Sequence, residues 1–549
     1  MAMSDDSKKP PVDRLPEDVD SLNASRRDFL KVAGASAGAL IVGGSGLSAP
    51  HKVPGLVPLG APAVHTTAAS EIVVIGAGGW GSFIALNLRK QGHSVTLVDA
   101  YGPGNARSTS GDESRGVRSS YGDKTGIVGD TWCSWARASM KKWVEFDDEW
   151  GKQFRLNVYH TTGDLIMRTE WDNFQLRTKV LWDRLKVPYN ILSPSDVKKA
   201  FPVMMIDDIT AILYEPDAGV VRARRATQAA AAAFEVLGGK IVIGRAAPGQ
   251  VVGGQMKELK LDTGQTIRGD TFVYAVGPWL GKTFPELFAK KTRTPIGTVL
   301  YFGTPVGDHR FTYPNLPSYN FPGVTGWAAL PVDNRGFRVR GSERAPTPPP
   351  TAADSAAALA RGMPPTFGLA NDSTAGRGSG RGQAADSTGR GGGGRGGRGG
   401  TAGQGAGRGG QQQTEVPPAQ QDPDTSDRWA DATRVEGSRR FIARRFPLLA
   451  TAPVAQTHSC HYESTSSSNF IIDKHPGMSN VWIAAGGNAE GFKQCPTVGE
   501  YVAQRVLGVE GDAAVAKSFR IPEKEYDPPA PPPGTQTDST KKPPPPPLR

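Results

Sequence analysis

The chain has little cysteine and no long apolar run. Its three cysteines, Cys133, Cys460 and Cys495, cannot build a disulfide framework, and the odd number indicates a free or modified thiol in an exported protein. The apolar run Val32–Leu47 is too short and too rich in glycine to predict a membrane span. The net charge of +11 would suggest a nucleic-acid partner, but much of the excess arginine lies in one low-complexity stretch, so we infer none.

Two low-complexity stretches bound the folded part of the chain. Residues 346–428 carry repeated Gly-Arg runs and almost no large apolar side chains, so we expect a disordered insert. RGG runs can bind single-stranded RNA, but Phe367 is the only aromatic residue there, which favours a linker. Residues 527–549 are expected to form a disordered proline-rich tail. The remaining segments, 70–345 and 429–510, have the pattern of one two-domain enzyme.

The N-terminal region carries an export pattern. Ser25–Lys31 reads SRRDFLK, and paired arginines before a short apolar region are typical of a twin-arginine signal. We expect residues 1–65 to be this signal and a disordered N-terminus, cleaved at or before Ala61–Ala63. The twin-arginine translocase would then be a partner, and the cleaved protein would be periplasmic or secreted and not an integral membrane protein. The alternative is a basic pair before a loose helix.

The chain is organised around residues 71–100, EIVVIGAGGWGSFIALNLRKQGHSVTLVDA. A buried-strand pattern leads into Gly76, Gly78 and Gly81, a helix pattern follows, and a second strand ends in Asp99. This strand, G-x-G-x-x-G turn, helix and terminal acid predict a dinucleotide site, with the pyrophosphate at the helix N-terminus and the ribose at the acid. The alternative is a glycine-rich turn that holds nothing. A later strand that again runs into glycine, Asp270–Trp279, favours FAD over NAD.

Other segments predict what surrounds this unit. Tryptophans spaced along one face of a helix over Asp130–Trp150 are expected to be core rather than a cofactor box. A single strand-like piece is expected over Leu156–Met167. Antiparallel strands over residues 296–344 are expected to form a second sheet above the cofactor. The loop Gly486–Gly491 precedes a helix over Val498–Leu507 and is expected to bring a second helix N-terminus to the cofactor.

Several motifs in a fixed order resemble the D-amino-acid oxidase superfamily, most closely the monomeric sarcosine oxidase-like flavin amine oxidases. The motifs are VVIGAGGWG, GDESRGVRSSYG, EPDAGVV, AVGPW, C-H-Y-E-S-T…FIIDKHP and IAAGGNAEGFK. The resemblance implies an α/β fold with a Rossmann-like FAD domain of the glutathione-reductase type. It also implies an α+β substrate domain with a mixed sheet, here interrupted by the disordered insert, and oxidation of a C–N bond in an amine or amino acid.

The resemblance also assigns residues. The FAD positions it implies, with the loop before the last helix, are Gly76, Ala77, Gly78, Gly79, Trp80, Gly81, Asp99, Ala100, Ser114, Arg115, Ala275, Gly277, Trp279, Cys460, Gly486, Gly487, Gly491, Phe492 and Lys493. Cys460 stands ten residues before Phe470, the spacing of the cysteine that bonds covalently to the flavin in that family; the alternative is a small buried hydrophobe. Arg118 and Lys493 match the two cations that hold a substrate carboxylate, against the alternative of surface charge.

Two positions depart from the family pattern. Arg338 stands where the family usually has the lysine that promotes reaction with oxygen, and we count it with Arg118 and Lys493 as a catalytic residue. Arginine keeps the charge but hydrogen-bonds differently. Glu490 stands in a motif that is usually GHGFK. The sequence therefore predicts an oxidase that produces hydrogen peroxide, with two alternatives: a dehydrogenase that passes electrons to a quinone or carrier, and a flavin-holding protein without turnover.

Overall fold

The computed structural model describes residues 53–57, 71–331, 335–343 and 422–527. The proposed signal except for 53–57, most of the insert, and the tail beyond Asp527 lie outside the described residues. Residues 53–57 pack on the folded chain, because the Trp135 indole donates to the Pro54 carbonyl at 2.6 Å and Gln504 hydrogen-bonds to the backbone of Val57. Buried indole N–H groups need such an acceptor. The described chain therefore starts within the segment that was expected to be disordered.

The described residues form the following strands, given in chain order. They are β1 Glu71–Ile75, β2 Ser94–Asp99, β3 Arg115–Val117, β4 Tyr159–Thr161, β5 Asp164–Arg168, β6 Asn190–Ile191, β7 Ala211–Glu215, β8 Gly219–Val221, β9 Lys240–Ile243, β10 Ala246–Pro248, β11 Val251–Val252, β12 Gln255–Met256, β13 Glu258–Leu261, β14 Thr266–Arg268, β15 Thr271–Tyr274, β16 Thr292–Arg293, β17 Ile296–Phe302, β18 Ser318–Phe321, β19 Val324–Trp327, β20 Phe337–Arg340, β21 Val454–His461, β22 Ser464–Thr465, β23 Ile471–His475 and β24 Met478–Ala485.

The α-helices flank these strands. They are α1 Gly79–Lys90, α2 Gly126–Phe154, α3 Asn173–Leu185, α4 Pro194–Ala200, α5 Ala223–Val236, α6 Leu280–Thr283, α7 Pro285–Phe288, α8 Ala432–Arg445, α9 Cys495–Val506 and α10 Ala513–Ser518. Short 3₁₀ turns occur as well, among them Gly277–Trp279 and Gly491–Gln494. Within the described ranges, no helix combines the length and the apolar character that crossing a membrane requires.

The first sheet has six strands in the order β23-β24-β15-β1-β2-β9. All neighbours are parallel except β23, which runs antiparallel to β24. The strands β1 and β2 pair in register from Glu71 opposite Ser94 to Ile75 opposite Val98. Helices α1 and α5 pack on this sheet with an apolar core between them. The carboxyl ends of its parallel strands therefore form one edge, where a dinucleotide site is expected.

The second sheet has eight strands in the order β21-β17-β20-β19-β18-β5-β7-β6. Its neighbours are antiparallel except for the pair β5 and β18, which is parallel. A second apolar core lies on it, with Tyr319, Phe337, Phe441 and Phe446 stacked together. The α/β fold with a mixed sheet is confirmed.

Local differences from the sequence expectations have simple causes. The tryptophan-bearing helix is confirmed but longer than expected, and its tryptophans are buried. The single strand expected over 156–167 is wrong: β4 and β5 lie in different sheets. Gly163 separates them with φ +70, and a Cβ there would lie 2.4 Å from the Tyr214 hydroxyl, so the chain must turn at that residue. The described chain also resumes at residue 422, within the expected insert.

Candidate active site

A cavity of about 430 Å³ lies at the carboxyl edge of the parallel sheet. It is bounded by the glycine-rich turn after β1, by the end of β2, by the segment after β15 and by the start of α9. This turn requires glycine at two positions. Gly76 has φ +101, and a Cβ on Gly81 would lie 1.7 Å from the Gly76 carbonyl oxygen. The volume lies in the range of small-molecule and cofactor sites. The residues present thus fit a dinucleotide.

Two helix N-termini meet at this cavity. Gly79 begins α1 and Cys495 begins α9, and both line the wall. A Cβ on Gly79 would lie 2.5 Å from the Cys495 sulfur, so only glycine allows the two helices to approach this closely. The Trp80 indole donates to the Gly491 carbonyl at 3.0 Å and ties the two segments together. The expected second helix N-terminus is therefore present, and both helix ends favour an anionic ligand.

Asp99 organises the turn as well as lining the cavity. Its carboxylate accepts hydrogen bonds from the backbone N–H of Ala77 at 2.7 Å, and from Tyr101 and Gly102 at 2.8 Å each. Burial raises the pKa of Asp99, and these three N–H donors oppose the rise. Each carboxylate oxygen has two lone pairs, so acceptor sites remain for a ribose hydroxyl. Asp99 thus ties the glycine-rich turn to the loop after β2 and still offers the carboxylate acceptor expected at this position.

Most of the expected cofactor residues line the cavity. These are Gly76, Gly78, Gly79, Trp80, Asp99, Ala100, Arg115, Ala275, Gly277, Trp279, Gly487, Gly491 and Phe492. The others stand behind its wall. Ala77 is fully buried, Gly81 packs on Gly76, and the Ser114 hydroxyl accepts from the Trp327 indole at 3.0 Å. Gly486 donates to the Glu463 carboxylate at 2.8 Å. Cys460 and Lys493 are described next.

Cys460 lies behind Arg115. The thiol is 4% exposed, and an Arg115 N–H donates to its sulfur at 3.1 Å. Burial alone would raise the pKa of Cys460, but the Arg115 charge and a hydrogen bond from His458 lower it to about 7. Burial raises the pKa values of Cys133 and Cys495 well above that. Cys460 is therefore the cysteine of this chain that is set up to react as a thiolate at neutral pH.

Asp112 connects Arg115 to the second sheet. The carboxylate is fully buried, lies 3.4 Å from Arg115 and 3.1 Å from Arg338, and accepts from the Tyr301 hydroxyl at 3.0 Å. Burial would raise its pKa, but the two arginine charges hold it well below the usual range. Asp112 is thus a permanent anion between the cofactor cavity and the substrate sheet.

A second, cationic pocket adjoins the cofactor cavity. It shares Arg115, Ala489 and Phe492 with that cavity as wall residues. Five cationic side chains line it: Arg115, Arg118, Arg338, Arg340 and Lys493. The three residues expected to be catalytic thus come together at one place, beside the cofactor cavity.

Neither Lys493 nor Arg338 stands alone in this pocket. The Lys493 ammonium is ion-paired with Glu490 and lies 5.2 Å from the centre of the Tyr121 ring. Arg338 is 1% exposed, pairs with Asp112 and lies 4.0 Å from the centre of a Trp327 ring. Arg338, which departs from the family pattern, therefore has Asp112 beside it, and Glu490, the second departure, is itself the carboxylate that pairs with Lys493.

The segment 422–428 is held against the wall of the cofactor cavity. The Asp424 carboxylate accepts from the Tyr101 hydroxyl at 2.7 Å, the Trp279 indole at 2.8 Å and the Lys282 ammonium at 2.6 Å. All three donors line the cavity. We call residues 422–428 the strap.

The sequence reasoning missed some of these residues. Asp112, Tyr462 and Glu463 stand inside motifs that were recognised, but no role had been assigned to them. Arg340 follows Arg338 by two residues, and alternation along a strand could have placed both on one face. Asp424 had no signal, since it lies in the low-complexity stretch.

Known proteins resemble this chain over most of its folded part. The model of a family described as FAD dependent oxidoreductase matches residues 71–386 and 391–505. Monomeric sarcosine oxidase of Bacillus sp. (strain B-0618) is 22% identical over 442 residues, which cover 80% of this chain and 92% of that protein. L-saccharopine oxidase of Schizosaccharomyces pombe is 41% identical over 70 residues, but the match spans only 16% of that protein.

Solved structures show the same fold. The crystal structure of Amadoriase I from Aspergillus fumigatus superposes with a TM-score of 0.59 at 18% identity, and the match covers 83% of this chain and 90% of that one.

Proposed function

Because the chain belongs to the family of FAD-dependent oxidoreductases that act on C–N bonds of amines, we propose that it oxidises the C–N bond of an amino acid or secondary amine. FAD, when bound, would supply the acceptor for the substrate hydride, and transfer of the two electrons to O₂ would yield hydrogen peroxide. The amine becomes an imine, and water then hydrolyses the imine to an aldehyde or keto acid and an amine or ammonia. The observation that carries the proposal is the wall shared by the cofactor cavity and the cationic pocket.

The pocket residues hold and orient the substrate. Arg118 and Lys493 bind its carboxylate, and the guanidinium fork fixes the direction of the C–H bond towards the cofactor cavity. Glu490 holds the Lys493 ammonium in place before substrate arrives. The substrate must react as the neutral amine, and the positive charge that lines the pocket favours that form over the ammonium form.

We propose further that Cys460 attaches FAD covalently. Arg115 and His458 keep its thiol near half ionised at neutral pH. The thiolate would form a thioether at the flavin 8α carbon, which would lose one hydrogen as a proton while the flavin itself took up the two electrons. Arg115 lines the cofactor cavity and touches the thiol, so the thiol lies immediately behind the cavity wall.

Acid precipitation of the purified protein tests both the cofactor and its attachment. We expect yellow flavin in the pellet of the wild type and of Cys495→Ala, a control that also changes a cysteine at the cavity. In Cys460→Ala the flavin should move to the supernatant. Flavin released from all three proteins would remove the covalent proposal, and flavin in none of them would contradict the proposed function.

A second candidate, a dehydrogenase that uses a quinone or carrier, has one observation in its favour. The charge of Arg338, where the family usually has lysine, is engaged by Asp112 and Trp327. We would reduce the enzyme anaerobically with substrate and mix it with O₂ in a stopped-flow instrument, alongside Arg338→Lys. Fast reoxidation of the wild type supports the oxidase. Slow reoxidation that Arg338→Lys accelerates supports the dehydrogenase.

Export by the twin-arginine route is a separate proposal that rests on the sequence SRRDFLK. Residues 1–65 fused to a folded reporter should be exported by a host that has this translocase. Changing Arg26 and Arg27 together to lysine should leave the reporter inside the cell, whereas the control Arg14→Lys should not. Export that is unaffected by the double change would contradict the proposal.

A further inference from the structure

The cationic pocket carries more positive charge than one substrate carboxylate requires. Five cationic side chains line it, whereas ion pairs join three of them to two carboxylates, Asp112 and Glu490. Desolvated positive charge in excess of its counter-charges is costly unless a ligand supplies negative charge.

Arg340 stands out among these cations. Asp112 pairs with Arg338 and Arg115, and Glu490 pairs with Lys493. In contrast, no carboxylate in the described part of the chain lies within the 4 Å of an ion pair from the Arg340 guanidinium. Burial and the nearby charges of Arg115, Arg338 and Arg118 lower the pKa of Arg340 to about 10, although the Tyr462 hydroxyl opposes them. An anion at Arg340 would relieve this repulsion.

Arg340 is placed to face a ligand. It follows Arg338 by two residues on β20, so both side chains point to the same face, about 7 Å apart along the strand. On β19, Trp327 stands opposite Arg338 and Thr325 opposite Arg340, and all four side chains line the pocket. The Trp327 ring therefore covers Arg338, whereas the residue opposite Arg340 is the smaller Thr325.

A glycine lies on the other side of Arg340. A Cβ on Gly297 would lie 3.8 Å from an Arg340 guanidinium nitrogen and 3.6 Å from the Tyr462 ring. Tyr462 in turn lines the cofactor cavity. The guanidinium thus lies between Thr325 and Gly297, close to the cofactor cavity and on the substrate side of it.

We propose that Arg340 binds a second carboxylate of the substrate, so that this enzyme oxidises dicarboxylic amino acids. This inference rests on the proposed amine oxidation in the same pocket. The first carboxylate is held by Arg118 and Lys493, and the second is held by the Arg340 fork, with the Thr325 hydroxyl beside it. Arg338 is paired with Asp112 and covered by Trp327, so neither substrate carboxylate is assigned to it.

Binding of two unreactive ligands tests this without turnover. Methylthioacetate and thiodiacetate share a thioether and one carboxylate and differ by the second carboxylate. We expect thiodiacetate to bind the oxidised holoenzyme about 10- to 100-fold more tightly, as measured by calorimetry and by perturbation of the flavin spectrum. In Arg340→Met the two ligands should bind alike, at the wild-type affinity for methylthioacetate, and Arg340→Lys should recover part of the preference.

The control is Arg335→Met, which removes an exposed arginine just before the same strand and outside this pocket. It should keep the full preference. Equal binding of the two ligands to the wild type would overturn the proposal, and so would an Arg340→Met variant that keeps the preference or weakens both ligands equally.

Anaerobic bleaching of the flavin separates this inference from the proposed function. N-(carboxymethyl)glycine should reduce the flavin at least 10-fold more efficiently than N-methylglycine, and Arg340→Met should cancel the difference. Preferential binding of thiodiacetate without bleaching by any amine would uphold the dicarboxylate site and contradict the proposed oxidation. Bleaching by N-methylglycine with no preference between the two thioethers would uphold the proposed oxidation and contradict the dicarboxylate site.

Discussion

Replacing Arg115 with glutamine tests how the chain keeps Cys460 ionised. The guanidinium lies 3.1 Å from the sulfur, and with His458 it lowers the thiol pKa from 9.0 to about 7 against the opposing effect of burial. Without that charge, we expect the pKa to return to 9 or above. At pH 7 the thiolate fraction then falls from about one half to about one hundredth, roughly a 50-fold loss.

The loss in reaction rate should be smaller than the loss of thiolate. A thiolate of higher pKa is the better nucleophile, and a two-unit rise returns about 6- to 10-fold in reactivity. Covalent incorporation of FAD into Arg115→Gln should therefore slow by about 5- to 8-fold at pH 7 and recover as the pH rises. The same variant should shift the thiol titration itself by two units or more.

The assay is the ultraviolet absorbance of the thiolate in the apoprotein, as the difference between each protein and its Cys460→Ala counterpart. The expected midpoint is near pH 7 for the wild type. The matched control is Arg118→Gln, which removes another guanidinium that lines the same pocket. An unchanged midpoint in Arg115→Gln, or an equal shift in Arg118→Gln, would refute the assignment of Arg115.

Three further predictions concern stability and cofactor retention. Burial raises the pKa of Glu463 from 4.5 to about 7. The folded state therefore gains about 3 kcal/mol from the protonated carboxyl below pH 4.5, and this contribution is lost as the pH rises to 7. In urea unfolding, Glu463→Gln should reduce this dependence of stability on pH. Gly81→Ala should destabilise the fold by at least about 3 kcal/mol in the same assay, because its Cβ meets a carbonyl oxygen, whereas the control Gly78→Ala should keep the stability of the apoprotein and weaken FAD. Asp424→Asn should destabilise the contacts of the strap by about 1 kcal/mol. In the Cys460→Ala background it should also weaken FAD binding a few-fold.

Each of these has an outcome that would count against it. A wild-type unfolding free energy that does not fall between pH 5 and pH 7 would show that Glu463 is not buried as described. Equal stabilities of Gly81→Ala and Gly78→Ala would contradict the close contact in the turn. Unchanged FAD affinity in Asp424→Asn, with the strap still protected from proteolysis, would show that its ion pairs do not retain the cofactor.

Local patterns predicted the dinucleotide unit because the interactions that form it join residues close together in the sequence. The Gly76 turn, the α1 N-terminus and the acid at Asp99 lie within thirty consecutive residues, and the steric needs of each glycine follow from the turn itself. The second sheet was predicted only in part, because its order depends on pairings between distant strands, such as the parallel pair of β5 and β18. The split at Gly163 was missed because an apolar run does not report a change of sheet.

The partners of the expected catalytic residues could not be predicted from the sequence. Asp112 lies 226 residues from Arg338, and nothing in the local pattern indicates that the two side chains meet. Glu490 stands three residues before Lys493, so that pair follows from helical spacing, but its consequence for the substrate depends on the neighbouring strands. Charge balance in the pocket is thus a property of the fold.

This balance links cofactor attachment to substrate chemistry through one carboxylate. Asp112 contacts Arg115, which ionises Cys460, and Arg338, which lines the substrate pocket. Removing its charge in Asp112→Asn would leave both buried arginines without their anion, so the Cys460 thiolate would become the nearest negative charge to Arg115 and the thiol pKa should fall further. At the same time the charge of Arg338 would no longer be balanced by Asp112 and would attract an anionic ligand in the cationic pocket. Faster attachment of FAD and a stronger preference for dicarboxylates in the same variant would therefore mark Asp112 as the residue that divides the positive charge between the two functions.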